Sequence, residues 1–220
     1  GAHAVNHGEL PVLNRTDRDF FFLRRRDPEA VVQTIAQLCQ TRLPKNMGIP
    51  ATEIQVLSPT RKGETGTKNL NLALQAVLNP PAAGKKEKRY GDFSFREGDR
   101  VMQIRNNYDI LWKNPNGLGA GTGIFNGDIG VIVKIDYEAE LVTVDFDDKR
   151  AEYSFDLLGE LEPAYAMTIH KSQGSEYRAV VLCLCGGPQM LLTRSVLYTA
   201  ITRARELLII VGNEDVVVAM

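Results

Sequence analysis

The amino-acid sequence predicts an α/β fold in which a parallel sheet carries helices on both faces and is interrupted by a small β-barrel. Three features point to it. Four short runs, at 20–23, 54–57, 179–185 and 207–211, are continuously apolar rather than alternating, as strands buried on both faces must be. Helical patterns separate or follow these runs, which is the signature of a covered parallel sheet. Between about residues 93 and 161 the pattern changes to short alternating strands broken by turn residues.

The elements follow in order. Asp27-Pro28-Glu29 reads as a helix start, with Asp as N-cap and Pro at the first position, leading into "EAVVQTIAQLCQTRL". After the strand "IQVL" comes "SPTRKGETGTKNLN", which imitates a phosphate-binding loop. A Walker loop requires G-x-x-x-x-G-K-[ST], and counting from Gly63 puts Lys68, Asn69 and Leu70 at the three remaining positions, so all of them fail. The next helix, "TKNLNLALQAVLN", places Leu70, Leu74 and Val77 or Leu78 on one stripe before Pro80-Pro81 stops it. The polar "PPAAGKKEKRYGD" reads as a mobile linker, its "GKKEKR" as a solvated loop. The barrel strands are "DRVMQIR", "NGDIGVIVKID", "LVTVDFDD" and "RAEYSF", with bends at Asn126-Gly127-Asp128 and Phe146-Asp147-Asp148. A third helix, "MLLTRSVLYTAITRARE", would turn Leu197, Ile201, Ala204 and Leu208 toward the core.

Composition narrows the class. The chain of 220 residues has 44% hydrophobic and 24% charged residues and a net charge of -1, which excludes a disordered chain and argues against a small dedicated nucleic-acid module. Three cysteines make no paired framework and indicate a reducing, cytoplasmic setting. Cys183 and Cys185 lie two apart on a strand and share a face, so they read as core thiols rather than metal ligands. No apolar run reaches the ~20 residues of a membrane span.

Two segments carry chemistry. In "YAMTIHKSQGSEY", His170, Lys171 and Gln173 gather donors suited to phosphate and sugar oxygens, and Gly174 permits close backbone approach. In "LLTRSVLYTAITRARELLIIV", Arg203 and Thr199 fall on a helical face away from the apolar stripe, and Arg194, Tyr198 and Arg205 line its flank. A fixed, planar guanidinium stabilises a transferring phosphoryl group, which makes Arg203 an arginine-finger candidate.

"TIHKSQGSEY" followed by "LYTAITRARE" resembles motifs V and VI of superfamily 1 DNA helicases of the RecD/TraA-like group. "VLSPTRKGETGTKNLN" resembles motif IV of that group, the β-rich insert resembles its SH3-like 2B domain, and "AHAVNHGELP" resembles the segment after motif III. The resemblance covers nearly the whole chain and implies a RecA-like motor domain 2A over 1–92 and 162–220, with the SH3-like barrel 2B inserted at 93–161. It implies ATP with Mg2+ bound mainly by an N-terminal RecA-like domain of the same parent, since the Walker A lysine, Walker B acidic pair and motif III glutamine are not in this sequence. It further implies 5′ to 3′ movement on single-stranded DNA, unwinding of duplex, and nuclease-complex subunits as candidate partners, with no membrane.

Carried onto this sequence, the resemblance assigns Arg203 and Arg61 to the γ-phosphate as catalytic groups. Gly174, Glu176, Lys62 and Gly63 would lie on the nucleotide side, with Glu176 accepting from a ribose hydroxyl. Thr168, His170 and Lys171 would face the DNA backbone. In the barrel, Asn107, Tyr108 and Asn126 are candidate single-strand contacts. The expectation is the C-terminal motor half of an ATP-dependent helicase, inactive alone. The alternative is a freestanding nucleic-acid-binding or regulatory module derived from one.

Overall fold

The computed structural model describes residues 9–10, 19–185 and 193–213. The segments 1–8 and 190–192, which carry part of the motif III resemblance and the start of the third expected helix, lie outside the described residues. The chain divides into two compact units, one made of Gly1–Leu78 and Ala166–Met220, the other of Asn79–Tyr165.

The first unit is built on a six-stranded sheet. Its strands are β1 (Glu9–Leu10), β2 (Asp19–Arg24), β3 (Ile54–Ser58), β13 (Ala166–Thr168), β14 (Tyr177–Leu184) and β15 (Ala204–Gly212), and they run in the order β1-β2-β15-β14-β3-β13. All neighbours are parallel except the β1–β2 pair. The four apolar runs are the four long strands, and β3 is buried at every position. β13 escapes a reading of hydrophobic runs because it is three residues long.

Helix α1 (Pro28–Gln37) starts at the expected Asp27-Pro28, although the Asp27 side chain makes no capping hydrogen bond. The helix passes through a π turn at Leu38–Arg42 into α2 (Leu43–Met47), where Gly48 ends it at φ 67°. Pro44 explains the π turn: its ring excludes the carbonyl four residues back, and the wider turn makes room. Helix α3 (Thr67–Leu78) buries Leu70 and Leu74 as expected, and with them Asn71 and Gln75. Asn71 has a specific task. Its Nδ2 donates to the Ala166 carbonyl at 2.9 Å and its Oδ1 accepts from the Ala166 N–H at 2.8 Å, so it pairs the outer side of the edge strand β13.

Helix α4 (Arg194–Thr202) is shorter than the sequence suggests. Its N-cap Thr193 accepts from Val196 N–H at 3.3 Å. The helix stops at Arg203, and Ala204 already pairs with Tyr177 as the first residue of β15. Ala204 and Leu208 are therefore buried strand residues, and Arg205 is exposed on a strand rather than on a helix flank. The helical period of "TAITRARE" loses to the ladder that "LLIIV" forms with β14.

The second unit extends beyond the expected 93–161 at both ends. It holds a hairpin, β4 (Glu87–Tyr90) with β5 (Phe93–Arg96), and a curled antiparallel sheet. That sheet comprises β6 (Arg100–Gln103), β7 (Asn107–Lys113), β8 (Ala120–Ile124), β9 (Ile129–Asp136), β10 (Leu141–Phe146), β11 (Lys149–Ser154) and β12 (Leu161–Pro163), in the order β12-β6-β9-β10-β11-β7-β8. Alternation places Val142, Val144, Phe146, Ala151 and Tyr153 in its core with Val101, Ile110, Ile124, Ile132 and Ile135. Part of the expected mobile linker is strand β4, and its three lysines are engaged: Lys85 Nζ donates to Asn79 Oδ1 at 2.7 Å, Lys86 lies over Tyr137, and Lys88 lies over Phe155.

The two ends of this unit are tied by one buried carboxylate. Asp99 is fully buried and accepts from Asn79 Nδ2 at 2.7 Å, Tyr165 Oη at 2.8 Å and the Arg96 N–H at 2.7 Å. Burial, with the Asp99 charge second, raises the Tyr165 hydroxyl far above its ordinary range, so it stays a donor. Arg96 closes the cluster through Nη1 to the Asn79 carbonyl at 2.7 Å and an ion pair with Glu87.

Candidate functional site

In the first unit the chemistry sits in two loops and one helix end. The loop after β3 turns back on itself at Gly63, φ 88°, and Gly66. Ser58 Oγ donates to the Thr65 carbonyl at 2.9 Å, and Thr65 Oγ1 donates to the Cys185 carbonyl at 3.4 Å. The amides that would face a phosphate are already used: Gly66 N–H bonds Gly63 O at 3.1 Å, Thr67 N–H bonds Thr60 O at 3.0 Å, and Lys68 N–H bonds Arg61 O at 3.2 Å. The start of α3 is thus capped by its own loop, and the stretch cannot cradle a nucleotide phosphate as a Walker loop does. Arg61, Lys62 and Gly63 are exposed on its outer side.

A Cβ at Gly66 would stand 2.3 Å from the Lys62 carbonyl oxygen and 2.5 Å from that of Arg61. Gly66→Ala is therefore expected to displace the loop and to destabilise the chain by about 1–3 kcal/mol, the ordinary penalty for overpacking. Urea unfolding checks this, and a parental midpoint would refute it.

The second loop, 169–176, crosses from β13 to β14. At its start the Ile169 N–H donates to the Ser58 carbonyl at 3.2 Å and Thr168 pairs with Ser58, so Thr168, exposed His170 and half-buried Lys171 stand beside the C-terminal end of β3. Ser172, fully buried, fixes the 3-10 turn by donating to Ile169 O at 2.6 Å. Gly174 follows at φ 83° with open space where a Cβ would be, and Glu176 is exposed.

At its far end this loop meets Arg203. The guanidinium donates through Nη1 to the Ser175 carbonyl at 2.9 Å, through Nε to the Thr199 carbonyl at 3.1 Å and through Nη2 to Thr202 Oγ1 at 3.1 Å. The Arg203 carbonyl accepts from the Tyr177 N–H at 2.8 Å. Ser175 and Thr202 are neighbours of Arg203 that sequence reasoning missed, because a backbone carbonyl and a helix-bonded hydroxyl leave no pattern to read.

The strand register separates two of the expected residues along the sheet. Arg61 follows the C-terminal end of β3, whereas Arg203 precedes the N-terminal end of β15, with β14 between and parallel to both. The five residues of β3 alone span about 16 Å at the usual rise, so the backbone at the two arginines lies at opposite ends of the strands. Lys62 and Gly63 go with Arg61, beside Thr168–Lys171. Gly174 and Glu176 go with Arg203.

At the C-terminal ends of the strands, Cys183 is buried and its thiol is pushed up to about 12, chiefly by burial. Cys185 lies past the end of β14 rather than on it; burial and then the Asp27 and Glu64 charges raise its thiol. Among the described residues no group of three or more His, Cys, Asp or Glu could hold a metal ion, and no helix is long and apolar enough to cross a membrane.

The second unit presents its own polar and aromatic surface. Tyr108, 67% exposed, packs edge-on against Phe125 with ring centroids 5.5 Å apart, and the Asn126 N–H donates to Asn106 Oδ1 at 3.0 Å. Lys149 lies over Trp112 at 5.1 Å and over Phe125 at 5.9 Å. A groove of about 750 Å³ lined by Leu111, Trp112, Lys113 and Arg150 continues this surface. Asn107 departs from expectation: its Nδ2 donates to Glu160 at 3.0 Å, where Gln103 Nε2 also donates at 2.8 Å, and its Oδ1 caps the Asp109 N–H. It is a structural member of the sheet.

Two family models match parts of the chain. Residues 70–146 match the model described as the ATP-dependent RecD-like DNA helicase SH3 domain, and residues 163–211 match the UvrD-like helicase C-terminal domain. The ATP-dependent RecD2 DNA helicase of Deinococcus radiodurans is 34% identical over 205 residues, covering 93% of this chain and 25% of that protein. The RecBCD enzyme subunit RecD of Mycobacterium tuberculosis (strain H37Rv) is 37% identical over 230 residues, covering 97% of this chain and 36% of that one. The chain thus spans a quarter to about a third of the length of these relatives. A crystal structure of Bacteroides Pif1 bound to ssDNA is similar over 84% of this chain and 49% of that chain at 14% identity and a TM-score of 0.45, too loose a likeness to argue from. By its two domain matches and its RecD relatives, the chain belongs to the RecD-like superfamily 1 helicases, over the C-terminal region of that family.

Proposed function

We propose that this chain is the C-terminal motor part, domains 2A and 2B, of an ATP-dependent DNA helicase that moves 5′ to 3′ on single-stranded DNA and unwinds duplex in the cytoplasm. An N-terminal RecA-like domain of the same parent holds ATP and Mg2+, and subunits of a nuclease complex are further candidate partners. One observation carries the reading: the 169–176 loop has one end on Arg203 and the other beside the end of β3. A segment built this way reports a ligand at one end to a ligand at the other.

In this reading Arg203 reaches the γ-phosphate across the interdomain cleft, with Gly174 and Glu176 on the nucleotide side. Thr168, His170 and Lys171 contact the DNA backbone, and Arg61 and Lys62 add positive charge at that end, with Gly63 beside them. On the second unit Tyr108, Phe125 and Asn126 offer stacking and polar contacts that do not depend on sequence. Bound ATP supplies the phosphoryl group, and Arg203 contributes fixed charge at its oxygens.

The test is an ATPase assay, with and without single-stranded DNA, on this chain and on a longer chain that includes the N-terminal domain. The longer chain is expected to hydrolyse ATP in a DNA-stimulated manner and this chain not at all. Hydrolysis by this chain alone overturns the proposal.

A further inference from the structure

The hydrogen bonds of Arg203 describe a side chain at rest. A group that stabilises charge on a nucleotide needs donors pointed outward, yet here three of the five guanidinium N–H groups, one each on Nη1, Nε and Nη2, have acceptors within the domain. Two of these belong to its own helix, the Thr199 carbonyl and the Thr202 hydroxyl. The third, the Ser175 carbonyl, belongs to the 169–176 loop.

Thr202 is what fixes the orientation. Its hydroxyl lies 3.0 Å from the Tyr198 carbonyl and 2.9 Å from the Thr199 carbonyl, so its proton is directed into the helix and its lone pair toward Arg203 Nη2 at 3.1 Å. A threonine hydroxyl has one proton and two acceptor sites, so the bond to the helix determines which way it can accept. The guanidinium fork is thereby held by Nε and Nη2 on the helix side, which leaves Nη1 on the loop side.

We infer that Thr202 is a positioning residue for Arg203, and that the Ser175 carbonyl is the acceptor Arg203 gives up when it turns to phosphate. The inference rests on the proposed role of Arg203 at the nucleotide. An anionic phosphate oxygen is a stronger acceptor for a guanidinium than a neutral carbonyl, so the exchange runs toward phosphate once a nucleotide is in reach. Releasing Ser175 removes one bond that ties the loop to this helix end, while that of the Tyr177 N–H to Arg203 O stays. The loop carries His170 and Lys171, so the exchange joins nucleotide state to the residues placed on DNA.

The experiment compares Thr202→Val, Thr202→Ser and Arg203→Ala in the full-length enzyme. Valine keeps the shape and removes the hydroxyl, while serine keeps the hydroxyl. Thr202→Val is expected to lower kcat of DNA-stimulated ATP hydrolysis about tenfold, the effect of one hydrogen bond to a charged group, with KM for ATP within about twofold. Thr202→Ser is expected to recover activity to within about threefold of the parent. A parental kcat in Thr202→Val overturns the inference, as does a serine variant as impaired as valine, or a loss confined to KM. Full ATPase in Arg203→Ala would instead overturn the underlying role of Arg203. Loss in Arg203→Ala with an unimpaired Thr202→Val defeats the positioning role alone.

Discussion

Replacing Arg203 by alanine in the full-length protein is expected to reduce ATP hydrolysis roughly 10³- to 10⁵-fold, the range seen where an arginine finger is removed. The fold should survive. Arg203 is only half-buried, and the bonds lost are to the Ser175 and Thr199 carbonyls and the Thr202 hydroxyl at the rim of the domain. The backbone contacts at this position, Tyr177 N–H to Arg203 O and Arg203 N–H to Ala200 O, are independent of the side chain. Arg203→Lys is expected to remain strongly impaired, because a point charge on a flexible stem does not reproduce the planar fork. Steady-state kinetics with a matched thermal melt decide the matter, and a parental rate in Arg203→Ala would refute the role. Arg61→Ala is the useful contrast. Its position beyond the C-terminal end of β3 predicts the greater loss in single-strand affinity, with a shallower salt dependence.

Replacing Asp99 by alanine is expected to destabilise the second unit by about 3–5 kcal/mol, since breaking a buried polar cluster leaves its donors without acceptors. Asp99 is fully buried, and it is the acceptor for Asn79 Nδ2, the Tyr165 hydroxyl and the Arg96 N–H. Two of these, Asn79 and Tyr165, are the first and last residues of the unit. The substitution therefore loosens the point where the chain enters and leaves as well as the interior. Asp99→Asn keeps the shape and one acceptor oxygen, so its loss should be smaller. Urea unfolding followed by tyrosine and tryptophan fluorescence measures both, and an Asp99→Ala midpoint equal to the parent would rule the account out.

How far the sequence could be read depended on the length of each signal. Strand β3 is buried at every position, β14 from Ala179 and β15 from Leu207 onward, and these stretches announce themselves as apolar runs. β13 offers only "AMT", and its edge is completed by Asn71, 95 positions away. The end of α4 was hidden because "TRARE" continues a helical period, while the deciding interaction is the pairing of Ala204 with Tyr177. The motif resemblance named candidate residues but not their grouping. Arg61 and Arg203 looked like partners until the strand register set them at opposite ends. Asn107 looked like a loop contact because nothing in "RNNYD" tells that Glu160 will claim its amide.

The loop that imitates a phosphate cradle has one more consequence. A phosphate loop leaves its helix amides unsatisfied until an anion arrives, so part of such a domain's order depends on ligand. Here Thr60 and Arg61 supply carbonyls to the Thr67 and Lys68 N–H groups, and the Gly66 carbonyl accepts from the Leu70 N–H. The order of this helix start is therefore written into the loop that precedes it and does not wait for an anion.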